Sequence, residues 1–201
     1  MSPSDRLTAR AGALLIVDMQ TKLLAAIRRA PLVLANGLRL VEGARVLGVP
    51  IRATEQYPKG LGPTTPELAG LIPARPAKLT FHCCGAPGLL DDLRALGVEH
   101  VTLAGIEAHV CVAQTALELI GLGFAVQVPA DAVGSRADLD RDVALRRLER
   151  AGAIISTVEA VLFEWTETAE HPRFKAISAL IRDFRPPGPG PLDEAGMTEA
   201  R

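Results

Sequence analysis

The sequence predicts an α/β fold built on a parallel sheet that is covered on both faces. Three observations carry this expectation. Short, continuous apolar runs alternate with longer stretches of helical period along most of the chain. The runs are rich in branched aliphatic residues, as strands buried on both faces are. The chain has 201 residues, of which 48% are hydrophobic and 22% charged, enough for one domain with a good core.

The elements follow in order. Ala13-Leu14-Leu15-Ile16-Val17 reads as a buried strand, stopped by Asp18. Pro31 to Leu47 carries apolar residues three and four apart and reads as an amphipathic helix. Val49 to Thr54 is a second strand. Tyr57 to Pro76 holds several prolines and glycines and reads as a long loop with a short helical turn. Gly88 to Leu96 is a short helix closed by Gly97. His100 to Ala104 is a strand, Val112 to Leu122 a helix and Phe124 to Val128 a strand. Asp138 to Arg150 is a helix, Ala153 to Ser156 a strand and His171 to Arg182 a last helix. The domain is expected to span residues 1–185. Residues 186–201, rich in Pro and Gly and then acidic, are expected to form a flexible tail.

Charge and composition exclude several classes. Lys plus Arg is 22 and Asp plus Glu is 23, a net charge of -1. A dedicated nucleic-acid binder carries a basic excess instead. No run reaches the roughly 18 apolar residues that a membrane helix needs, and the N-terminus lacks the pattern of a secretory leader. Three cysteines, an odd number, do not suggest a disulfide framework. A reducing, cytoplasmic compartment is therefore expected.

In an open α/β sheet, ligands bind beyond the carboxyl ends of the strands. Asp18 ends the first strand, Gly105 to Cys111 follow another, and Lys78 follows the Pro-rich loop. Cys111 precedes a good helix former. A helix N-terminus lowers a thiol's pKa and offers N–H groups to an oxyanion; the plainer reading is a small buried residue starting a core helix. Asp18 reads equally as a helix cap or as a general base. Lys78 taken alone reads as a solvated surface charge; beside a thiolate and a carboxylate it would stabilise both.

Other motifs fail on spacing. Adjacent His82-Cys83-Cys84, and His109 only two residues from Cys111, do not suit one tetrahedral zinc. Gly121-Leu122-Gly123 lacks the third glycine of a dinucleotide loop and follows a helix. There is no phosphate-cradling Gly-Lys-Ser/Thr loop and no Gly-x-Ser-x-Gly turn.

Taken together, three separated segments resemble the isochorismatase-like cysteine hydrolases. Leu14 to Gln20 is similar to that family's first-strand motif, and Gly105 to Val112 to its nucleophile motif. Lys78 before Phe81 is similar to its lysine segment, and Thr54 to Gly62 to the loop of its isochorismatase-domain branch. The resemblance implies a three-layer α/β/α Rossmann-like fold with a mostly parallel six-stranded sheet. It implies an Asp-Lys-Cys triad, carried over onto Asp18, Lys78 and Cys111. It implies a cis peptide at Ile106–Glu107, with the N–H groups of Glu107 and Cys111 facing the oxyanion. It also implies a homo-oligomer acting on a small molecule, with no nucleic acid or membrane as partner.

Departures from the pattern qualify what is carried over. Ala108 stands where the family often has Thr, and His82 where many members have Ser. Nicotinamidases place an Asp-x-His metal pair where this chain reads Thr54-Glu55-Gln56-Tyr57; no metal or cofactor is therefore expected. True isochorismatases lack the nucleophilic cysteine, so Cys111 argues against isochorismate as substrate. The first reading is a hydrolase that cleaves a C–N bond of a small amide or carbamoyl compound through a thioester. The alternative is a binding or regulatory module on the same scaffold, and a thiol redox sensor built on Cys83 and Cys84 ranks last. The aromatic content of 3% points weakly to an aliphatic substrate.

Overall fold

The computed structural model describes residues 6–188 and 190. The expected tail beyond Gly190, and residue 189, lie outside the described residues. Among the described residues the chain runs β1 (Gly12–Val17), α1 (Thr21–Leu24), α2 (Ala30–Leu47), β2 (Ile51–Gln56), α3 (Pro58–Leu61), α4 (Pro66–Ala69) and β3 (Ala77–Lys78). It continues through α5 (Leu89–Ala95), β4 (His100–Ile106), α6 (Ala113–Gly121), β5 (Ala125–Pro129) and β6 (Val133–Gly134). It ends with α7 (Asp138–Arg150), β7 (Ile154–Ser156), α8 (Val158–Thr166) and α9 (Phe174–Arg182).

Six strands form one parallel sheet in the order β3-β2-β1-β4-β5-β7, and β6 pairs with the far end of β4. The three-layer form follows from β1 itself. All six of its residues are buried, and successive side chains point to opposite faces. Ala13, Leu15 and Val17 join a core with residues of α5, α6 and α7. Leu14 and Ile16 join a second core with residues of α2, α8 and α9. A strand that is apolar throughout thus requires helices on both sides.

The order of the strands decides where a ligand can sit. From β1 the chain winds outward through β2 and β3, then returns to place β4 on the other side of β1. The crevice beyond the carboxyl ends of β1 and β4 is therefore the switch point of the sheet. The two strands pair from Gly12↔His100 to Val17↔Gly105. Gly105 has φ 132°, and a Cβ there would stand 2.1 Å from the Val17 carbonyl oxygen. Only glycine allows this approach, and it brings the ends of β1 and β4 together.

Several elements differ from the sequence reading. The second strand ends at Gln56 and not Thr54, because Glu55 and Gln56 pair with Ala77 and Lys78 of β3. A two-residue strand has no local signature; only its distant partner makes it one. The long loop contains two single-turn helices, α3 and α4, and Glu55 closes it by accepting from Thr64 N and Oγ1, both at 2.8 Å. The sequence reading also missed the single-turn α1 and the longer α8. Helix α8 has a Thr157 cap and an inward face of Val158, Val161, Leu162 and Trp165. No helix among the described residues is long and apolar enough to cross a membrane.

Candidate active site

Asp18 leaves β1 with φ 51°, a left-handed conformation that Asp tolerates better than most residues. The next strand over supplies its first partner. Val17 pairs with Thr54 across β1 and β2, and the Thr54 hydroxyl donates to Asp18 Oδ1 at 2.7 Å. The second carboxylate oxygen accepts from Lys78 Nζ at 2.7 Å, with both side chains fully buried. Lys78 comes from β3, so the edge of the sheet delivers the cation to its centre. A buried ion pair of this kind survives only with further hydrogen bonds. Lys78 Nζ also donates to Gln56 Oε1 at 2.6 Å and to the carbonyls of Phe81 at 3.0 Å and Thr80 at 3.3 Å. An ammonium has three N–H bonds. All are occupied, so Lys78 serves as an electrostatic clamp on Asp18 and on the segment after β3.

Gln56 is held in turn by Gln20. The Gln56 N–H donates to Gln20 Oε1 at 2.7 Å, and Gln20 Nε2 donates to the Gln56 carbonyl at 3.0 Å. Gln20 follows Asp18 by two residues, so this pair fastens the turn after β1 to the end of β2.

Cys111 sits in a π-helical turn, Ala108–Val112, between β4 and α6. The Ile106–Glu107 peptide that precedes it is cis. The Asp18 carboxylate lies close enough to act on the thiol and disfavours its ionisation. Three of the sequence-predicted residues, Asp18, Lys78 and Cys111, therefore come together. The expected lowering of the Cys111 pKa does not occur. Burial, first, and then the Asp18 charge push this thiol up to about 12, against the opposing pull of Lys78. The helix-end effect is outweighed by loss of water and by a facing carboxylate. At rest Cys111 is a protonated thiol near a carboxylate.

Sequence reasoning missed a second thiol. Cys83, weighed in the sequence only as part of an ill-spaced metal tract and of a redox pair with Cys84, is fully buried beside the ion pair. Its Sγ lies 3.3 Å from Thr54 Oγ1. That hydroxyl spends its proton on Asp18, so the Cys83 thiol is the donor between them. Burial, then the Asp18 charge, push Cys83 up to about 12 as well. Thr115 of α6 joins the two cysteine segments. Its Oγ1 accepts from Cys83 N at 2.8 Å and donates to the Cys111 carbonyl at 2.6 Å. Thr54 and Gln56 had one usable signal, being polar residues at the carboxyl end of a strand; Cys83 and Thr115 had none.

The rim is more aromatic than composition suggested. Tyr57, whose N–H donates to the Lys78 carbonyl at 3.0 Å, and Phe81 are both about half exposed. Among the described residues no group of three or more His, Cys, Asp and Glu is placed to hold a metal ion. A separate cavity of about 540 Å³, lined by Val98, Glu99, Phe124 and Ala125, opens at the amino ends of the strands. It faces away from the triad and carries none of this chemistry.

A parallel sheet between two helical layers, with a carboxylate, a lysine and a cysteine at its switch point, defines a three-layer α/β/α class of protein. The isochorismatase domain family matches residues 12–160, and the chain belongs to that family. Isochorismatase domain-containing protein 2 of Danio rerio is 40% identical over 182 residues, covering 90% of this chain and 92% of that one. Isochorismatase domain-containing protein 1 of Danio rerio is 44% identical over 176 residues, and the match spans 84% of this chain but only 60% of that longer relative. Among solved structures, the MAR1 ribonuclease from Caenorhabditis elegans superposes with a TM-score of 0.84 at 39% identity, covering 93% of this chain and 97% of that one. YcaC from Escherichia coli, described as an octameric hydrolase of unknown specificity, superposes with a TM-score of 0.82 at 27% identity, covering 100% of this chain and 98% of that one.

Proposed function

We propose that this protein is a cysteine hydrolase that cleaves the C–N bond of a small amide or carbamoyl compound. One observation carries the reading: the Cys111 thiol faces a buried carboxylate that Lys78 and Thr54 hold in place. Asp18 takes the thiol proton as Sγ attacks the carbonyl carbon, so no free thiolate need accumulate. The N–H groups of Glu107 and Cys111 receive the oxyanion. As the C–N bond breaks, Asp18 returns the proton to the departing nitrogen, leaving a thioester. Water then adds to the thioester carbonyl, giving its proton to Asp18; as the C–S bond breaks Asp18 returns that proton to Cys111 Sγ, and the acid leaves. Lys78 stabilises the carboxylate throughout and donates nothing to substrate.

The similarity to a structure described as a ribonuclease raises a second substrate class. The balance of 22 basic against 23 acidic residues does not favour a polyanion, and the triad is almost closed to water. We also propose that the chain self-associates, as its octameric relative does. Leu139 and Val143, one turn apart on α7, are exposed and apolar. Light scattering after gel filtration reads the assembly size directly.

The test of the activity is a panel of small amides, ureido acids and an RNA oligonucleotide, assayed for ammonia, amine or cleaved strands. Release of ammonia or amine that Cys111→Ala abolishes is the expected result. RNA cleavage, or turnover that survives Cys111→Ala, would overturn the reading.

A further inference from the structure

We infer that Arg136 forms an anion-binding subsite beside Cys111, and that the substrate carries a carboxylate or similar anionic group next to its scissile amide. The inference rests on Cys111 being the reacting atom of the proposed hydrolase. The topology supplies the placement. β6 pairs with the last two residues of β4, Gly105↔Val133 and Ile106↔Gly134. The two chains therefore leave the sheet side by side at its carboxyl edge. On one side the next residue is Glu107, which begins the nucleophile turn; on the other are Ser135 and Arg136.

Two contacts tie these segments together. His109 Nδ1 lies 3.0 Å from Ser135 Oγ. Arg136 Nε donates to Glu107 Oε2 at 2.9 Å. The second contact orients the guanidinium. Its Nε edge is committed to a carboxylate that is itself only 17% exposed, while the arginine side chain is 63% exposed. Both Nη groups have no hydrogen-bond partner among the described residues. A planar fork with one edge fixed and the other open suits bidentate binding of a carboxylate.

The charge pattern agrees. Inside the site Asp18 and Lys78 cancel, and all the N–H bonds of Lys78 are spent. A substrate anion therefore finds no partner at the triad. Arg136, anchored to the residue four before Cys111, offers one. In this role it is a specificity residue and takes no part in proton transfer.

The experiment needs no known substrate. Iodoacetate and iodoacetamide differ in a carboxylate against an amide. Each alkylates the native protein at matched ionic strength, and the Cys111 peptide is quantified against the Cys84 peptide. The ratio of the two rates cancels the thiolate fraction. We expect the iodoacetate-to-iodoacetamide ratio at Cys111 to exceed that at Cys84. It should fall about tenfold in Arg136→Gln, the worth of one charge-assisted pair, with Arg136→Lys between. Lys59→Gln, which removes the same charge from α3, should change it less than about twofold. A ratio unmoved by Arg136→Gln, or moved equally by Lys59→Gln, overturns the subsite. If Cys111 reacts with neither reagent, the buried and protonated thiol is closed to them, and the nucleophile assignment is judged by turnover in Cys111→Ala. The subsite is then read by calorimetry with succinamate and its neutral counterpart succinamide. Succinamate binding weakened about tenfold by Arg136→Gln supports it, and no preference for succinamate over succinamide overturns it.

Discussion

In the proposed mechanism Asp18 has two jobs at Cys111 that pull in opposite directions. As a charge it keeps the thiol protonated at rest; as a base it removes the same proton during attack. The two can be separated by substitution. Asp18→Asn removes the charge that pushes the Cys111 thiol up and should lower its pKa toward the ordinary range. Iodoacetamide should then alkylate Cys111 at pH 9 several-fold faster than in the parent protein, while amide turnover falls by about 10²-fold or more. Mass spectrometry of the Cys111 peptide and a turnover assay read the two effects. An arrangement in which Asp18 only supported structure would show no such divergence.

Two elements hold this geometry from outside the site. β4 must reach β1 closely enough to bring Cys111 to Asp18, and Gly105 permits it. Gly105→Ala places a methyl group 2.1 Å from the Val17 oxygen in a backbone region hostile to side chains. A loss of about 3 kcal/mol or more is expected in urea denaturation. α8 holds the opposite layer through Trp165, which is 1% exposed, and its indole N–H has no hydrogen-bond partner among the described residues. Trp165→Ala should cost about 3–5 kcal/mol. Trp165→Phe should cost much less, because it also removes an unsatisfied donor. Comparing the denaturation midpoints of the two variants separates lost packing from lost polarity.

Across the whole molecule, burial of thiols sets an alkaline limit on stability. Burial is the first cause in each case, and it pushes Cys83 and Cys111 up to about 12 and Cys84 up to about 11, from an ordinary value of 9.0. Below pH 9 all three are neutral in both the folded and unfolded chain, and their contribution is fully present. Above pH 9 the unfolded chain releases protons that the fold retains, so unfolding gains. Each buried thiol then costs up to about 1.4 kcal/mol per pH unit until its folded value is passed. The melting temperature should fall steadily from pH 9 to pH 11. Cys83→Ala should flatten that fall, and calorimetric scans across this range check both.

The α/β class and most elements were readable from the chain because strands buried on both faces leave an unbroken apolar signature. Ala13 to Val17 and the helix over Asp138 to Arg150 are read almost as they stand in the structure. Asp18, Lys78 and Cys111 were readable as candidates, since residue type and place in the strand order mark each one. The partners of these residues were not. Lys78 enters the site through a two-residue strand whose pairing with Gln56 no local pattern encodes. Thr54 and Cys83 reach Asp18 only because β2 lies beside β1 and the segment after β3 folds under α6. The Cys111 pKa is the sharpest case. Its position before a helix argues for a lowered value, yet burial and a facing carboxylate raise it. Local sequence specifies which groups a chain carries and how its backbone begins to order. Dielectric surroundings and opposing charges come from residues far apart along the chain, and packing alone brings them together.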